Sequence, residues 1–238
     1  MKENDLLEIA TYIPKDTILM LSGVTCVGKT TTAYEIVKNY LEFRGVSECD
    51  LIRTIVRTIY KHLSEEVYVD KDELVIKYNT FLEFIPSSNF EVTKLQSEQL
   101  LPYVKEIILR QQRKRIPTII EGNCIVPSTY FPNNQSLVWL NKHVVFINLY
   151  VSDEEKHISR RQLRVEERDY SESISETKIA VSEFRAEKNQ LLHMQAIKLH
   201  QIFKNVFSFD VSNYTPNRVA SKIMEFVLDY FNELQLTV

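Results

Sequence analysis

Short, nearly uninterrupted apolar segments recur along this chain of 238 residues. Residues 17–22, 117–120 and 143–151 form such segments, and they contain too few polar positions for half-exposed strands. Their length and composition predict strands that are buried on both faces, as in a parallel sheet. A further strand is predicted at about residues 206–211.

Between these segments the apolar positions change to the spacing of helices. Apolar residues repeat every three or four positions over residues 33–41, and similar patterns predict helices at about 50–62 and 91–115, the latter containing Pro102. A final helix is predicted after Thr215, a capping residue that is followed by a proline.

Two more helices are predicted from capping signals. Asp70 followed by Glu73 predicts a helix over residues 73–84, although this segment is rich in aromatic residues. Ser152 followed by Glu155 is a capping box that predicts another helix start.

The alternation of strands and helices indicates a three-layer α/β fold around a parallel sheet. We find no internal repeat, no low-complexity tract and no clear interdomain linker in the sequence. A single domain over residues 1–238 is therefore expected.

The strongest chemical signal follows the first predicted strand. Residues 23–30 read GVTCVGKT and fit the pattern GxxxxGK[ST], in the strand-to-helix context that a phosphate-binding P-loop needs. Backbone N–H groups of such a loop point at phosphate oxygens, Lys29 would meet the β- and γ-phosphates, and the Thr30 hydroxyl would coordinate Mg²⁺. The residues expected to bind the nucleotide are Gly23, Cys26, Val27, Gly28, Lys29, Thr30 and Thr31.

A second candidate group lies about 20 residues beyond the loop. Asp50, Arg53 and Arg57 are three and four positions apart, which places them on one face of the predicted helix. Asp50 could bind Mg²⁺ or accept a proton from an acceptor hydroxyl, and the arginines could hold an anionic acceptor. A solvated, salt-bridged helix start would show the same pattern.

Glu121 follows the apolar residues PTII at the end of a predicted strand. Ligands of open parallel sheets bind at the carboxyl ends of the strands, so Glu121 could orient Mg²⁺ through water or act as the base. An acidic residue in an ordinary turn is the alternative.

Four arginines lie on the helix predicted after Ser152. Arg160, Arg164 and Arg168 share one face and Arg161 lies beside them. A mobile segment that presents arginines can close over a transferring phosphoryl group and expel water. Because several acidic residues lie nearby, a salt-bridged surface helix is the alternative.

Composition narrows the class of protein. A formal net charge of −3 with 26% charged residues lacks the basic excess that nonspecific nucleic-acid binding usually needs. The three cysteines are widely spaced, so neither a disulfide framework nor a zinc site is predicted, and a cytoplasmic location is expected. No signal peptide or continuous apolar run predicts a membrane segment.

Several segments in the same order resemble the archaeal-type 2-phosphoglycerate kinases and their P-loop kinase relatives. These segments are GVTCVGKTTTA, CDLIRTIVR, IIEGNCIVP and VSDEEKHISRR, followed by Phe184 and Arg185, and the resemblance covers residues 17–230. It implies a five-stranded sheet of order 2-3-1-4-5, a helical lid over about residues 153–190, ATP, Mg²⁺, and a small phosphorylated or carboxylated acceptor.

The resemblance also implies roles for individual residues. Asp50 and Arg53 match the D-x-x-R unit of these kinases, Glu121 matches their strand-end glutamate, and Arg160 or Arg161 matches their lid arginine. Asn123 stands where these kinases have a histidine.

The sequence thus predicts an ATP-dependent kinase of a small anionic metabolite, with Lys29, Asp50, Glu121, Arg160 and Arg164 as catalytic residues. Arg53, Arg57, Arg161 and Arg168 are the expected acceptor-binding residues, and Thr30 and Asp50 the expected metal ligands. One alternative is a kinase of a nucleotide, a polynucleotide end or an antibiotic hydroxyl, as in zeta-toxin-like proteins. Another is a nucleotide switch that turns over slowly.

Overall fold

Five parallel strands form the central sheet in the computed structural model, which describes residues 13–40, 42–63, 67–70, 75–78, 81–84, 90–140, 142–166 and 177–236. The strands are β1 (Ile18–Ser22), β2 (Val46–Glu48), β6 (Thr118–Glu121), β7 (Val144–Tyr150) and β8 (Val206–Asp210). Their spatial order is β2-β6-β1-β7-β8 and all neighbours pair in parallel. Numbered within this sheet, the order is 2-3-1-4-5, as expected from the resemblance.

Helices cover both faces of the sheet. The long ones are α1 (Lys29–Asn39), α2 (Cys49–Leu63), α3 (Phe90–Lys114), α5 (Glu154–Glu166), α6 (Thr177–His200) and α7 (Pro216–Leu236), with the short α4 (Pro127–Tyr130) after β6. The predicted strands and the helices near 33–41, 50–62 and 91–115 are confirmed, and α3 continues through Pro102. The helix predicted after Thr215 is also confirmed, since the Thr215 hydroxyl accepts a hydrogen bond from the N–H of Arg218.

Alternating residues of the central strand pack into two separate core clusters. Leu19 and Leu21 are completely buried in the cluster that contains Ile36 of α1 and Ile223 of α7. Ile18 and Met20 point to the other face and are buried with residues of α3, β6 and α6. A strand with apolar residues on both faces can only be accommodated between two helical layers, which explains why β1 lies at the centre.

The helix predicted over residues 73–84 is wrong. The chain forms β4 (Val75–Tyr78) and β5 (Phe81–Phe84) there, and together with β3 (Val67–Asp70) they make an antiparallel sheet of order β3-β4-β5. Asp70 therefore ends a strand and does not cap a helix. The β-branched and aromatic residues of this segment favour strands, and the pairing with neighbouring strands satisfies the backbone groups.

The helix start predicted from Ser152 is shifted by one residue. Helix α5 begins at Glu154, and the Asp153 carboxylate accepts a hydrogen bond from the backbone N–H of Lys156 at 3.1 Å. The Ser152 hydroxyl donates to the carboxylate of Asp210 instead. Asp153 is the capping residue because the Ser152 hydroxyl is bonded to Asp210 at the end of β8 and does not cap the helix.

None of the helices in the described part of the chain is long and apolar enough to cross a membrane.

Candidate functional site

The loop between β1 and α1 has the backbone conformation of a phosphate-binding loop. Gly23, Cys26 and Gly28 have φ values of 138°, 70° and 93°. A Cβ atom on Gly23 would lie 2.3 Å from the carbonyl oxygen of Leu149, so no other residue fits there without backbone movement. These features make the chain turn sharply after β1 and enter α1 directly. Backbone N–H groups at such a helix start are suited to bind phosphate.

Lys29 is held at the base of this loop. Its side chain is only 6% exposed, and Nζ donates hydrogen bonds to the carbonyl oxygen of Val24 at 3.0 Å and to Oδ1 of Asn123 at 2.8 Å. The ammonium group is therefore fixed between the loop and the segment that follows β6.

Asn123 connects Lys29 to the acidic group of α2. Its Nδ2 donates to Oδ2 of Asp50 at 3.1 Å, while Nη2 of Arg53 lies 3.7 Å from Oδ1 of the same carboxylate. The structure thus brings together Lys29, Asp50 and Arg53, which are far apart in the sequence. Sequence reasoning gave Asn123 no role, although its position two residues after Glu121 was a signal.

Glu121 lies at the carboxyl edge of the sheet, beside the start of α1. The Thr30 hydroxyl donates to Oε1 of Glu121 at 2.8 Å, and the Glu121 side chain is only 4% exposed. Burial raises the pKa of Glu121, and the nearby Asp50 and Glu48 act in the same direction, against Lys29 and the bond from Thr30. This environment therefore favours the protonated form of Glu121 more than water does.

The oxygen groups here suit Mg²⁺ bound together with phosphates. The Thr30 hydroxyl and the Asp50 and Glu121 carboxylates are hard oxygen ligands, and within the described ranges the buried Oδ1 of Asp50 has no hydrogen-bond partner. Within the described ranges no group of three or more His, Cys, Asp or Glu side chains could hold a metal ion alone. The arrangement fits a cation that is held by one or two protein groups and by substrate phosphates.

A cleft of about 500 Å³ opens beside the P-loop. Its lining residues come from the loop and α1, from α5, and from the segment after β8: Cys26, Val27, Gly28, Thr30, Thr31, Thr32, Arg160, Leu163, Val211, Tyr214, Pro216 and Val219. A volume of this size accommodates a nucleotide. Arg160 forms part of the wall, because its Nη2 donates to the carbonyl oxygen of Val211 at 2.7 Å.

Helix α5 contacts the P-loop through a histidine. Nε2 of His157 lies 2.8 Å from the carbonyl oxygen of Thr25, so this nitrogen carries the proton. Burial lowers the pKa of His157, and the nearby Arg185, Arg160 and Arg161 act in the same direction. The sequence did not predict that His157 would join this helix to the loop.

Of the other predicted arginines, the structure describes Arg57 and Arg161 but not the side chains of Arg164 and Arg168. Arg161 lines a small cleft with His157 and Arg185, and Arg57 lies one turn beyond Arg53 on α2. Arg164 belongs to α5, but its side chain is outside the described residues, and so is the whole of Arg168.

Comparisons with known proteins give no family. No family model matches the sequence, and no curated protein matches it.

Solved structures match over most of the chain at low identity. Shikimate kinase from Acinetobacter baumannii in complex with shikimate is 12% identical, with 94% of this chain and 97% of that chain covered and a TM-score of 0.48. The tRNA isopentenylpyrophosphate transferase from Bacillus halodurans is 11% identical, with 92% and 97% covered and a TM-score of 0.43. The shikimate kinase from Bacteroides thetaiotaomicron is 13% identical, with 92% and 98% covered and a TM-score of 0.36. Likeness at this level supports no statement about substrate.

The fold follows from the geometry of this chain. A parallel sheet of order 2-3-1-4-5 with a glycine loop between its central strand and the next helix is the arrangement of P-loop nucleotide-binding kinases. The chain has this fold. The resemblance to 2-phosphoglycerate kinases receives no support from the comparisons.

Proposed function

We propose that the protein is an ATP-dependent kinase that transfers the γ-phosphate to a small anionic acceptor. The observation that supports this most directly is the hydrogen-bonded chain from Lys29 through Asn123 to Asp50. It joins the lysine expected at the β- and γ-phosphates to a carboxylate that can receive a proton.

The nucleotide would lie across the P-loop with its base in the cleft beside Arg160. The backbone N–H groups of the loop would bind the phosphates, and Lys29 would neutralise part of the charge that develops on the transferring group. Thr30, with Glu121 beside it, would hold Mg²⁺, and the ion would supply stabilisation of the negative charge on the phosphates.

Asp50 is the better candidate for the base. Glu121 already accepts a hydrogen bond from Thr30, the residue expected at Mg²⁺, and is suited to orient metal-bound water. In the transfer step the acceptor hydroxyl would give its proton to Asp50 while its oxygen forms a bond to the γ-phosphorus. The bond between that phosphorus and the β,γ-bridging oxygen breaks, and ADP leaves with the electron pair.

Arg53 supports an anionic acceptor. Its guanidinium lies beside Asp50, so an acceptor whose hydroxyl reaches Asp50 would also bring a carboxylate or phosphate close to Arg53. The resemblance to 2-phosphoglycerate kinases makes 2-phosphoglycerate the first acceptor to test, and Asn123 in place of a histidine makes a wider panel necessary.

The test is ADP release from Mg-ATP in the presence of a panel of phosphorylated and carboxylated metabolites. Lys29→Ala removes the P-loop ammonium, and Lys38→Ala on the same helix is the matched control because its side chain is 73% exposed. We expect one acceptor to accelerate ADP release in the wild type and the control but not in Lys29→Ala.

Two results would contradict the proposal. Wild-type activity in Lys29→Ala would remove the P-loop from the mechanism. A slow basal hydrolysis that depends on Lys29 and responds to no acceptor would favour a nucleotide switch or a macromolecular acceptor.

A further inference from the structure

Helix α6 is fastened to the edge of the sheet where the P-loop lies. The Asn189 side chain, 8% exposed, donates from Nδ2 to the carbonyl oxygen of Val151 at 2.7 Å and accepts from the N–H of the same residue at 3.4 Å. Val151 directly follows β7, which pairs with the central strand. The two bonds fix the position and rotation of α6 at the carboxyl end of the sheet.

The residue before Asn189 is a buried lysine. Lys188 is only 5% exposed, which is rare for a lysine. Burial lowers the pKa of Lys188 to about 8, the Cys124 thiol acts against this shift, and Arg185 adds to it. An ammonium group in this position has lost much of its hydration.

Arg185 lies one turn earlier on the same face of α6. Burial lowers the pKa of Arg185 to about 10, with a further contribution from Arg161, and Cys26 acts in the opposite direction. Its Nε is buried and has no hydrogen-bond partner among the residues that the structure describes. A guanidinium nitrogen of this kind is a donor available to a ligand.

The neighbours of these two cations show where they lie. Cys26, which acts on the pKa of Arg185, belongs to the P-loop. Cys124 follows β6, and burial raises the pKa of its thiol to about 12, with smaller effects from the nearby charges of Asp50, Arg53 and Lys188. Arg185 also lines a cleft with His157, whose ring contacts the carbonyl oxygen of Thr25 in the loop. Arg185 therefore lies near the P-loop, and Lys188 lies near the segment that follows β6.

We propose that Arg185 and Lys188 form the anion-binding half of the acceptor site, so that the acceptor carries a phosphate or carboxylate group held by α6. The charge of Arg185 lowers the pKa of Lys188, so the two cations lie close enough for one bound anion to be attracted by both. Arg185 provides a planar fork and Lys188 a point charge, a combination that fits either anion. The inference rests on the proposed function for the name of the ligand, and the site itself can be tested without turnover.

The experiment is an isothermal titration of the full chain with sulfate and, separately, with malonate. Sulfate stands for a phosphate group and malonate for carboxylates. One series contains saturating MgADP, so that the P-loop is occupied and cannot bind the added anion. A second series uses Lys29→Ala without nucleotide, so that the result does not depend on nucleotide binding. The variants are Lys188→Met and Arg185→Gln, with Lys198→Gln as the matched control because Lys198 lies exposed on the same helix.

We expect the wild type and Lys198→Gln to bind at least one of the two anions equally well. Each α6 variant should weaken that binding by about tenfold or more, since a charge-assisted hydrogen bond is lost. The anion that binds more tightly then identifies the group on the acceptor. Once an acceptor is known, the same variants should raise its KM more than they lower kcat.

Unchanged anion affinity in the α6 variants, or no binding of either anion to the wild type, would overturn the inference. If Lys188→Met fails to fold by circular dichroism, Arg185→Gln decides alone, since Arg185 is only partly buried. Anion binding that depends on α6 in a protein without kinase activity would leave this site standing and remove the proposed function.

Discussion

Nζ of Lys29 and Oδ1 of Asn123 are joined by a hydrogen bond of 2.8 Å. The two residues are 94 positions apart, one at the start of α1 and the other just after β6. The parallel pairing of β1 and β6 brings both segments to the same edge of the sheet. Because Asn123 also donates to Asp50, it fixes the distance between the P-loop lysine and the proposed base.

Replacement of Asn123 by alanine tests this connection. Asn123→Ala removes both hydrogen bonds, and misplacement of a catalytic group by about 1 Å can lower a rate by about 100-fold. We expect kcat of acceptor phosphorylation to fall by about 10- to 100-fold, with a smaller change in the KM for ATP. Steady-state kinetics measure both values. A loss confined to the KM for ATP would show that Asn123 acts on nucleotide binding alone.

Replacement of Gly23 by alanine tests the close packing of the loop on β7. The added Cβ would lie 2.3 Å from the carbonyl oxygen of Leu149, and φ at this position is 138°. We expect Gly23→Ala to lower the free energy of unfolding by more than about 1 kcal/mol and to abolish nucleotide binding. Gly45→Ala is the matched control, because nothing lies within 4 Å of its added Cβ. Urea denaturation and an ATP titration give both readouts, and equal stability of the two variants would contradict the geometry.

Glu121 should make stability depend on pH in a defined direction. Burial raises the pKa of Glu121, so the folded protein binds this proton more tightly than the unfolded chain does. The stabilising contribution of the protonated form is complete below the unfolded pKa and is lost as the pH rises through the raised folded pKa. As the pH increases, the free energy of unfolding of the wild type should therefore fall relative to that of Glu121→Gln. The change should be at most about 1.4 kcal/mol per pH unit.

Denaturant unfolding from pH 4 to pH 8 measures this difference. Glu98→Gln removes an exposed carboxylate from α3 and serves as the control, whose curve should run parallel to that of the wild type. Parallel curves for Glu121→Gln as well would mean that burial does not perturb this carboxyl.

His157 is expected to hold α5 against the P-loop. His157→Ala removes the bond to the Thr25 carbonyl oxygen, and a hydrogen bond of this kind contributes about 1 kcal/mol. We expect the KM for ATP to rise by roughly fivefold, which corresponds to that free energy. Ser159→Ala on the exposed side of the same helix should leave the KM unchanged. An unchanged KM in His157→Ala would show that the bond does not contribute to nucleotide binding.

Arg53 should act on the acceptor and not on the nucleotide. Arg53→Ala removes the guanidinium beside Asp50, so the acceptor KM should rise by about tenfold or more while the KM for ATP changes little. Varying each substrate at saturation of the other measures the two constants. Equal effects on both would move Arg53 out of the acceptor site.

The central strand, the P-loop and the following helix could be predicted from short stretches of sequence. Strand β1 is apolar on both faces, the glycines and Lys29 follow it at fixed spacing, and α1 continues with helical periodicity. Each of these signals depends on residues within a few positions of one another, and this is why they could be read without a structure.

Local signals failed where distant residues decide the outcome. The segment that forms β4 and β5 has an acceptable helical pattern, and its strands are defined by antiparallel pairing with each other and with β3. Asp153 caps α5 in place of Ser152, because the Ser152 hydroxyl donates its hydrogen bond to Asp210, which lies 58 residues away in the sequence. In both cases the deciding partner is not adjacent in sequence.

The sequence alone determined that this chain has a P-loop between a buried strand and a helix, within a parallel α/β fold. Only the tertiary structure decided that Asn123 would link Lys29 to Asp50, that His157 would contact the loop, and that Lys188 would be buried beside Arg185. The physical reason is that a phosphate loop is built from consecutive backbone groups, whereas an acceptor site is assembled from side chains of several elements whose positions depend on the packing of the whole sheet.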